Sequence, residues 1–294
     1  MSERLTQDVL KRMPLPDGSG GKEERGRVLV VAGSREVPGA ALLAGHGVLR
    51  VGAGKLQFQT AASISAQLGL LMPESMSVGH PDNEAGGFGA EAAPSILEAA
   101  EKCGALLIGP GLVNDRDTAS LVGALLGGLE GCPIVLDAAA MMRLRDHRAL
   151  LPRHGGRLIL TPHAGEMAGI LDIDKERIEA DPAVTARDVA AEFGVVVVLK
   201  GACSFIAAPD GRAYTCEGGH PGLGTSGSGD TLAGMIAGLL GRGAGPVEAA
   251  AWGVHLHGEA GHRLARSRGP VGYLAREITD EVPAILAELC GTGS

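Results

Sequence analysis

A mainly parallel β-sheet covered on both faces by helices, a three-layer α/β/α arrangement, is the fold class this sequence predicts, and three observations carry it. From Arg27 onward, β-branched runs alternate with Ala- and Leu-rich amphipathic stretches, the rhythm of repeated strand–helix–strand units. Aromatic residues supply only 2% of the chain while glycine numbers 47, so the core must be built from Ala, Val, Leu and Ile with helices packed closely through small residues. One pair of runs breaks the rhythm: Cys203 to Ala208 and Arg212 to Cys216, joined by Pro209-Asp210-Gly211. It reads as a hairpin that gives the sheet an antiparallel edge.

The elements follow in order. At 294 residues the chain is long enough for one large α/β domain with a substantial core. MSERLTQDVLKRMP predicts a short helix, and Pro14 to Arg25 (PLPDGSGGKEER) is rich in Gly, Pro and charge, so residues 1–25 read as an N-terminal arm ahead of a domain spanning 26–294. Strands are predicted at VLVVA, KLQFQT, ALLIG, PIVLD, RLILT and VVVVLK, separated mostly by helical stretches. After the hairpin come helices over roughly Gly229 to Leu240, Pro246 to Ala265 and Pro270 to Leu289, the last with Pro283 placed to kink or split it.

Composition excludes several function classes. A formal charge of −8, without clustered Lys and Arg, argues against nonspecific nucleic-acid binding. A local site of backbone N–H groups and a helix N-terminus can still hold a phosphate on an acidic protein. Five cysteines, Cys103, Cys132, Cys203, Cys216 and Cys290, contain no C-x-x-C pair, which disfavours a disulfide framework and a structural zinc site. No apolar run approaches membrane-spanning length, and the charged N-terminus lacks a signal-peptide core. The expectation is a cytoplasmic protein.

The stretch GLGTSGSGDTLAG, Gly222 to Gly234, fits G-x-G-x-x-G through Gly222, Gly224 and Gly227. A dinucleotide fingerprint belongs directly after the first strand of a βαβ unit, with an acidic residue about 20 positions on. This stretch follows the hairpin and Gly-Gly-His-Pro and leads only into helices, so that reading fails on context. A glycine-rich loop running into a helix near Ser228 fits better, with open N–H groups and the helix dipole favouring an anion. Asp230 lies in the first turn. The stretch alone equally allows Asp230 to complement the dipole while Ser228 or Thr225 caps the helix.

G-S-G-D followed by T-L-A-G resembles the C-terminal motif of the ribokinase-like superfamily. Further stretches resemble one member family, the ADP-dependent NAD(P)H-hydrate dehydratases, in matching order from about Gly26 to Leu289. They are VLVVAG with PGAA (Val28 to Gly33, Pro38 to Ala41), RVGAG (Arg50 to Gly54), Pro73-Glu74, IGPGL (Ile108 to Leu112), Leu136-Asp137-Ala138, Thr161-Pro162-His163 with Gly165-Glu166, and Leu199-Lys200-Gly201. Each is weak alone; the ordered combination is specific. The resemblance implies a ribokinase-like fold.

Several of these residues belong to predicted strand ends. Pro38 is suited to open a helix, which turns the N–H groups around Gly39 and Ala40 to the C-terminal edge of the sheet, where open α/β folds bind ligands. IGPGL forms a tight turn at another strand end, with Asn114 and Asp115 placed to cap the next helix. The resemblance assigns Ala40, Gly111 and His163 to the hydrated nicotinamide dinucleotide, with Glu166 supporting His163. It places Lys200, Gly201, Ala202, Cys203 and Ser204 around the adenine nucleotide, together with Gly227, Ser228 and Gly229. Asp137 either orders a magnesium ion through water or caps the following helix. His255 and His257, two apart on one helix, point to different faces and read as structural or subunit-packing residues.

The implied reaction is nicotinamide cofactor repair. Asp230 contacts the substrate and deprotonates its ring hydroxyl, which attacks the terminal phosphoryl of ADP with magnesium present; AMP and phosphate leave and NAD(P)H is restored. No G-x-x-x-x-G-K-[ST] occurs, consistent with ribokinase-like rather than P-loop chemistry. The metal ligands, ATP in place of ADP, the choice of NADH or NADPH, and a proton transfer by His163 are left open. The resemblance further implies action on the S epimer, a homo-oligomer with a tetramer favoured, and a separate epimerase as functional partner. Two alternatives stand beside it: a kinase for a vitamin-precursor alcohol, and a noncatalytic nucleotide-sensing module.

Overall fold

The computed structural model describes residues 2–142 and 144–291. In chain order the elements are β1 (Glu3–Arg4), α1 (Gln7–Lys11), β2 (Arg27–Val31), α2 (Pro38–Arg50), β3 (Lys55–Ala61), α3 (Ala62–Leu71), β4 (Ser75–His80), α4 (Ala93–Ala100), β5 (Ala105–Ile108), α5 (Arg116–Gly128), β6 (Ile134–Leu136), α6 (Ala139–Met142), β7 (Leu158–Leu160), α7 (Ala164–Leu171), α8 (Lys175–Ala180), α9 (Pro182–Phe193), β8 (Val196–Leu199), β9 (Ser204–Ala207), β10 (Ala213–Cys216), α10 (Ser228–Gly241), α11 (Pro246–Arg268) and α12 (Ala275–Cys290). One ten-stranded sheet has the order β1-β10-β9-β8-β7-β6-β5-β2-β3-β4. Strands β2 to β8 pair in parallel, and β9 is antiparallel to both β8 and β10. The predicted parallel sheet with its antiparallel hairpin edge is therefore what forms, with helices on both sides.

The central strands explain the layering. Val28 to Val31, Leu106 to Ile108, Ile134 to Leu136 and Leu158 to Leu160 have no solvent exposure, so both sheet faces need a cover of helices. Helix α10 is itself buried along almost its whole length and packs chiefly on α2. That approach is close enough to require glycine: a Cβ at Gly234 would stand 2.0 Å from the Ala44 carbonyl oxygen. At the other end of α10, a Cβ on Gly241 would stand 2.4 Å from Val28, at the start of β2. Helix α10 thus runs against the strand direction, and its N-terminus arrives at the C-terminal edge of the sheet.

Some expectations shift. The last helix begins at Ala275 rather than Pro270, because Gly269 and Gly272 take positive φ of 122° and 96° that no helix accommodates. It then runs unbroken through Pro283, anchored by buried Ile278, Val282 and Ile285. Strand β4 went unpredicted because it is an edge strand whose residues, Met76 among them, are half-exposed and lack apolar alternation. In the first 25 residues, β1 pairs with β10, Leu5, Val9, Leu10 and Met13 join the common core, and Trp252 Nε1 donates to the Met13 carbonyl at 2.7 Å.

Candidate active site

The parallel strands deliver their following residues to one edge. After β2 comes the loop to α2, and after β5 the Gly-Pro-Gly turn; Gly33 N–H donates to the Pro110 carbonyl at 2.8 Å and ties them together. Gly111 has φ of 66°, and a Cβ there would lie 2.8 Å from the Ala40 Cβ and 2.6 Å from the Val37 carbonyl oxygen. The turn therefore requires glycine. Ala40 and Gly111, far apart in sequence, meet here.

After β6, β7 and β8 the edge becomes charged. Asp137 is 2% exposed, and its Oδ1 accepts from Thr161 Oγ1 at 2.7 Å and from Lys200 Nζ at 3.0 Å. The Asp137 carboxylate therefore serves Thr161 and Lys200 rather than capping the next helix, while Asp115 does cap α5 through the Thr118 N–H. Lys200 also lies 3.8 Å from Glu166. Burial works against its ammonium, but Asp137 and Glu166 outweigh burial and hold its pKa above the ordinary lysine value. Lys200 is accordingly a fixed cation, not a freely solvated strand-end lysine.

His163 caps α7: its Nδ1 accepts from the N–H groups of Gly165 and Glu166 at 3.0 and 3.2 Å, while the Glu166 carboxylate accepts from the His163 N–H at 2.8 Å. With Nδ1 used as an acceptor, the neutral ring carries its proton on Nε2. Nε2 lies 3.6 Å from the Glu166 carboxylate.

Asp230 stands in the first turn of α10, facing this cluster. Gly227, at φ of 86°, is the N-cap and supplies no side chain; neither Ser228 nor Thr225 caps the helix. Backbone bonds take up the Ser228 and Thr231 N–H groups, and no capping side chain satisfies those between them, at Gly229 and Asp230. A Cβ on Gly229 would sit 3.3 Å from Lys200 Nζ, so the open turn and the lysine face one another. Burial first, then the charges of Asp137 and Glu166, push the Asp230 carboxyl up to about 7 against the opposing pull of Lys200. A carboxyl poised there exchanges a proton near neutrality.

A cavity of about 540 Å³ opens beside this turn, within the range of small-ligand sites. Lys200, Gly201, Ala202, Ser204, Ser228 and Gly229 line it, and so does His163. Cys203 and Gly227 are next to its walls in sequence without lining them, and Ala40, Gly111 and Asp230 also lie off its lining. Sequence reasoning missed His220, Thr225, Leu232 and His257. The Gly218-Gly219-His220-Pro221 run just before the glycine loop was the available signal for the first of these. Nothing local marks His257, which reaches the cavity only because α11 packs against α10.

Sheet order, the glycine-rich α10 N-terminus and the acid in its first turn define a ribokinase-like α/β protein. A solved ribokinase-like superfamily protein from Enterococcus faecalis superposes with a TM-score of 0.85 at 25% identity, covering 98% of this chain and 96% of that one. Residues 28–284 match the family model described as NAD(P)H-hydrate dehydratase, and the chain belongs to that family. It is 49% identical over 288 residues to the ADP-dependent (S)-NAD(P)H-hydrate dehydratase of Xanthomonas campestris pv. campestris, covering 97% of this chain and 96% of that protein. The Bacillus subtilis ADP/ATP-dependent NAD(P)H-hydrate dehydratase, co-crystallized with ATP/Mg2+, matches with a TM-score of 0.81 at 28% identity over 98% of this chain and 99% of that one.

Proposed function

We propose that this protein removes water from the S epimer of NADH or NADPH hydrate at the expense of ADP, releasing AMP and phosphate and restoring the reduced cofactor. The observation that carries this reading is Asp230: a carboxyl raised to about 7, beside the uncapped first turn of α10 and a fixed lysine. The ring hydroxyl is a poor leaving group as hydroxide. Asp230 takes its proton as the oxygen attacks the terminal phosphorus of ADP, and the P–O bond to AMP breaks. The ring-nitrogen lone pair then expels phosphate, and loss of a proton from the neighbouring ring carbon to that phosphate re-forms the dihydropyridine.

The N–H groups of Gly227 and Gly229 at the α10 N-terminus receive the phosphates, with Ser228 between them and Lys200 opposite, stabilising charge on the transferring group. Gly201, Ala202, Cys203 and Ser204 form the nucleotide's other wall. Ala40 and Gly111 present backbone to the hydrated dinucleotide, and His163, on the cavity wall, contacts it as well. Magnesium fits as an ion carried by phosphates and water: among the described residues no three His, Cys, Asp or Glu groups converge on a metal position. Asp137 and Glu166 would hold it through water, and its chemistry would be to neutralise phosphate charge. A site that phosphorylates one configuration leaves the other epimer untouched, so a separate epimerase completes the repair.

We further propose a homo-oligomer, a tetramer by family resemblance. Leu70, Leu71 and Met76 are 82%, 65% and 53% exposed beside the unpaired β4 edge, and a second copy would cover them. Among the described residues no helix is long and apolar enough to cross a membrane, consistent with the proposed cytoplasmic site of action. The test is to mix hydrated cofactor, ADP and magnesium with the protein. Return of dihydronicotinamide absorbance with one AMP and one phosphate per turnover supports the reading. A stable phosphate ester without that absorbance indicates a small-alcohol kinase, and ligand binding without turnover a sensing module.

A further inference from the structure

His257 is a half-buried imidazole on α11 that reaches across to the first residue of α10. Its Nε2 lies 2.9 Å from the Ser228 hydroxyl oxygen and 3.1 Å from the Ser228 carbonyl oxygen. A carbonyl oxygen only accepts, so Nε2 must carry the ring proton; the other tautomer would set two lone pairs against each other. The hydroxyl of Ser228 consequently accepts from His257 as well, and its own proton is free to be donated elsewhere. Ser228 and His257 both line the cavity, and Ser228 is 5% exposed in a turn whose N–H groups no side chain caps.

We propose that His257 is a positioning residue: by donating from Nε2 to both oxygens of Ser228, it turns the serine O–H toward the cavity as a hydrogen-bond donor to a phosphate oxygen of the nucleotide. The inference rests on the reading of this cavity as the nucleotide site. A histidine suits the task because burial keeps the ring neutral, with its pKa held down at about 4. It therefore orients the hydroxyl without changing charge across the working pH range. His255, two residues earlier, has a buried Nε2 with no partner among the described residues, so the bonding is specific to the α10 side of the helix.

The tests use the intact protein with magnesium and ADP. Nitrogen-15 NMR of the imidazoles should show His257 protonated at Nε2 and bare at Nδ1; a proton on Nδ1 would overturn the proposal, whatever the variants do. Ser228→Ala and His257→Leu should each lower kcat or ADP affinity about tenfold or more, the scale of one hydrogen bond to a charged group. The double variant should fall little below either single one, because both remove the same donated proton. His257→Gln, which keeps an N–H near the Nε2 position, should recover most of the loss. Multiplicative effects, or failure of glutamine to rescue while melting temperature is normal, would show that His257 only fills space. An inactive wild type would refute the dehydratase reading instead, and the tautomer and ADP calorimetry would still judge the His257–Ser228 pair.

Discussion

The two ends of the site are made differently. At the Ala40 and Gly111 end, closely approaching backbone and small side chains form the surface, and a single Cβ at Gly111 would collide with Val37 and Ala40. At the α10 end, Lys200, Asp137, Glu166 and Asp230 form an electrostatic cluster next to a roomy cavity. On the proposed reading the first end recognises by shape and the second by charge. Substitutions should divide accordingly: those at the charged end should act on turnover and ADP, and those at the small-residue end on the dinucleotide.

The largest expected effect is at Asp230. Asp230→Asn should lower kcat by about two orders of magnitude or more while ADP binding persists, the scale of a lost general base. The wild-type rate should rise with pH through about 7 as the carboxyl ionises, and the variant's residual rate should lack that limb. Stability should move oppositely. The folded-state pKa lies above the ordinary aspartate value of 3.8, so the folded protein holds the extra proton between about 3.8 and 7, and stability falls as pH rises through that window. Asp230→Asn should thus melt near the wild-type temperature at pH 4 and above it at pH 8. A variant no more stable at pH 8, or nearly as active as wild type, would remove the charged end's central actor.

Two smaller effects test the division itself. Gly229→Val places branched carbons where a Cβ already stands 3.3 Å from Lys200 Nζ, and it should weaken ADP binding by roughly tenfold or more with little loss of fold. Gly111→Ala imposes a side chain at φ of 66° against the Val37 carbonyl. It should raise KM for the hydrated dinucleotide by about tenfold, cost about 1–3 kcal/mol of stability, and leave ADP affinity alone. Calorimetry with ADP on both variants decides the matter, since a loss of ADP affinity in Gly111→Ala as large as in Gly229→Val would erase the distinction between the ends.

The sheet was legible because its central strands are uninterrupted aliphatic runs and the hairpin carries its own turn residues. Edge strand β4 was not, because a half-exposed edge needs no apolar alternation. Within the site, residues attached to strand ends could be placed from the sequence: Ala40, Gly111, His163 and Lys200 all reach the C-terminal edge as the topology demands. What pattern could not give was pairing between elements. The Lys200–Asp137–Thr161 chain joins three strand ends, and His257 meets Ser228 only through helix packing, so neither leaves a local periodicity to read.

The smallest effect, and the one that sharpens the comparison most, belongs to His163, which sits beside Lys200 on the cavity wall at the charged end yet is assigned to the dinucleotide on the proposed reading. Its Nδ1 is committed to the N–H groups of Gly165 and Glu166, so only Nε2 is available to a ligand, as a donor in the neutral ring. That geometry suits holding a ligand oxygen better than accepting the hydroxyl proton, which the proposed mechanism gives to Asp230. His163→Ala should therefore raise KM for the hydrated cofactor by several-fold, leave kcat within about threefold, and cost about 1 kcal/mol through the lost helix cap. His163→Asn, which can still cap α7, should recover the stability without recovering the KM, separating the two roles of one ring. A hundredfold fall in kcat at saturating substrate, together with loss of a pH limb in the histidine range, would instead make His163 a second proton-transfer group beside Asp230.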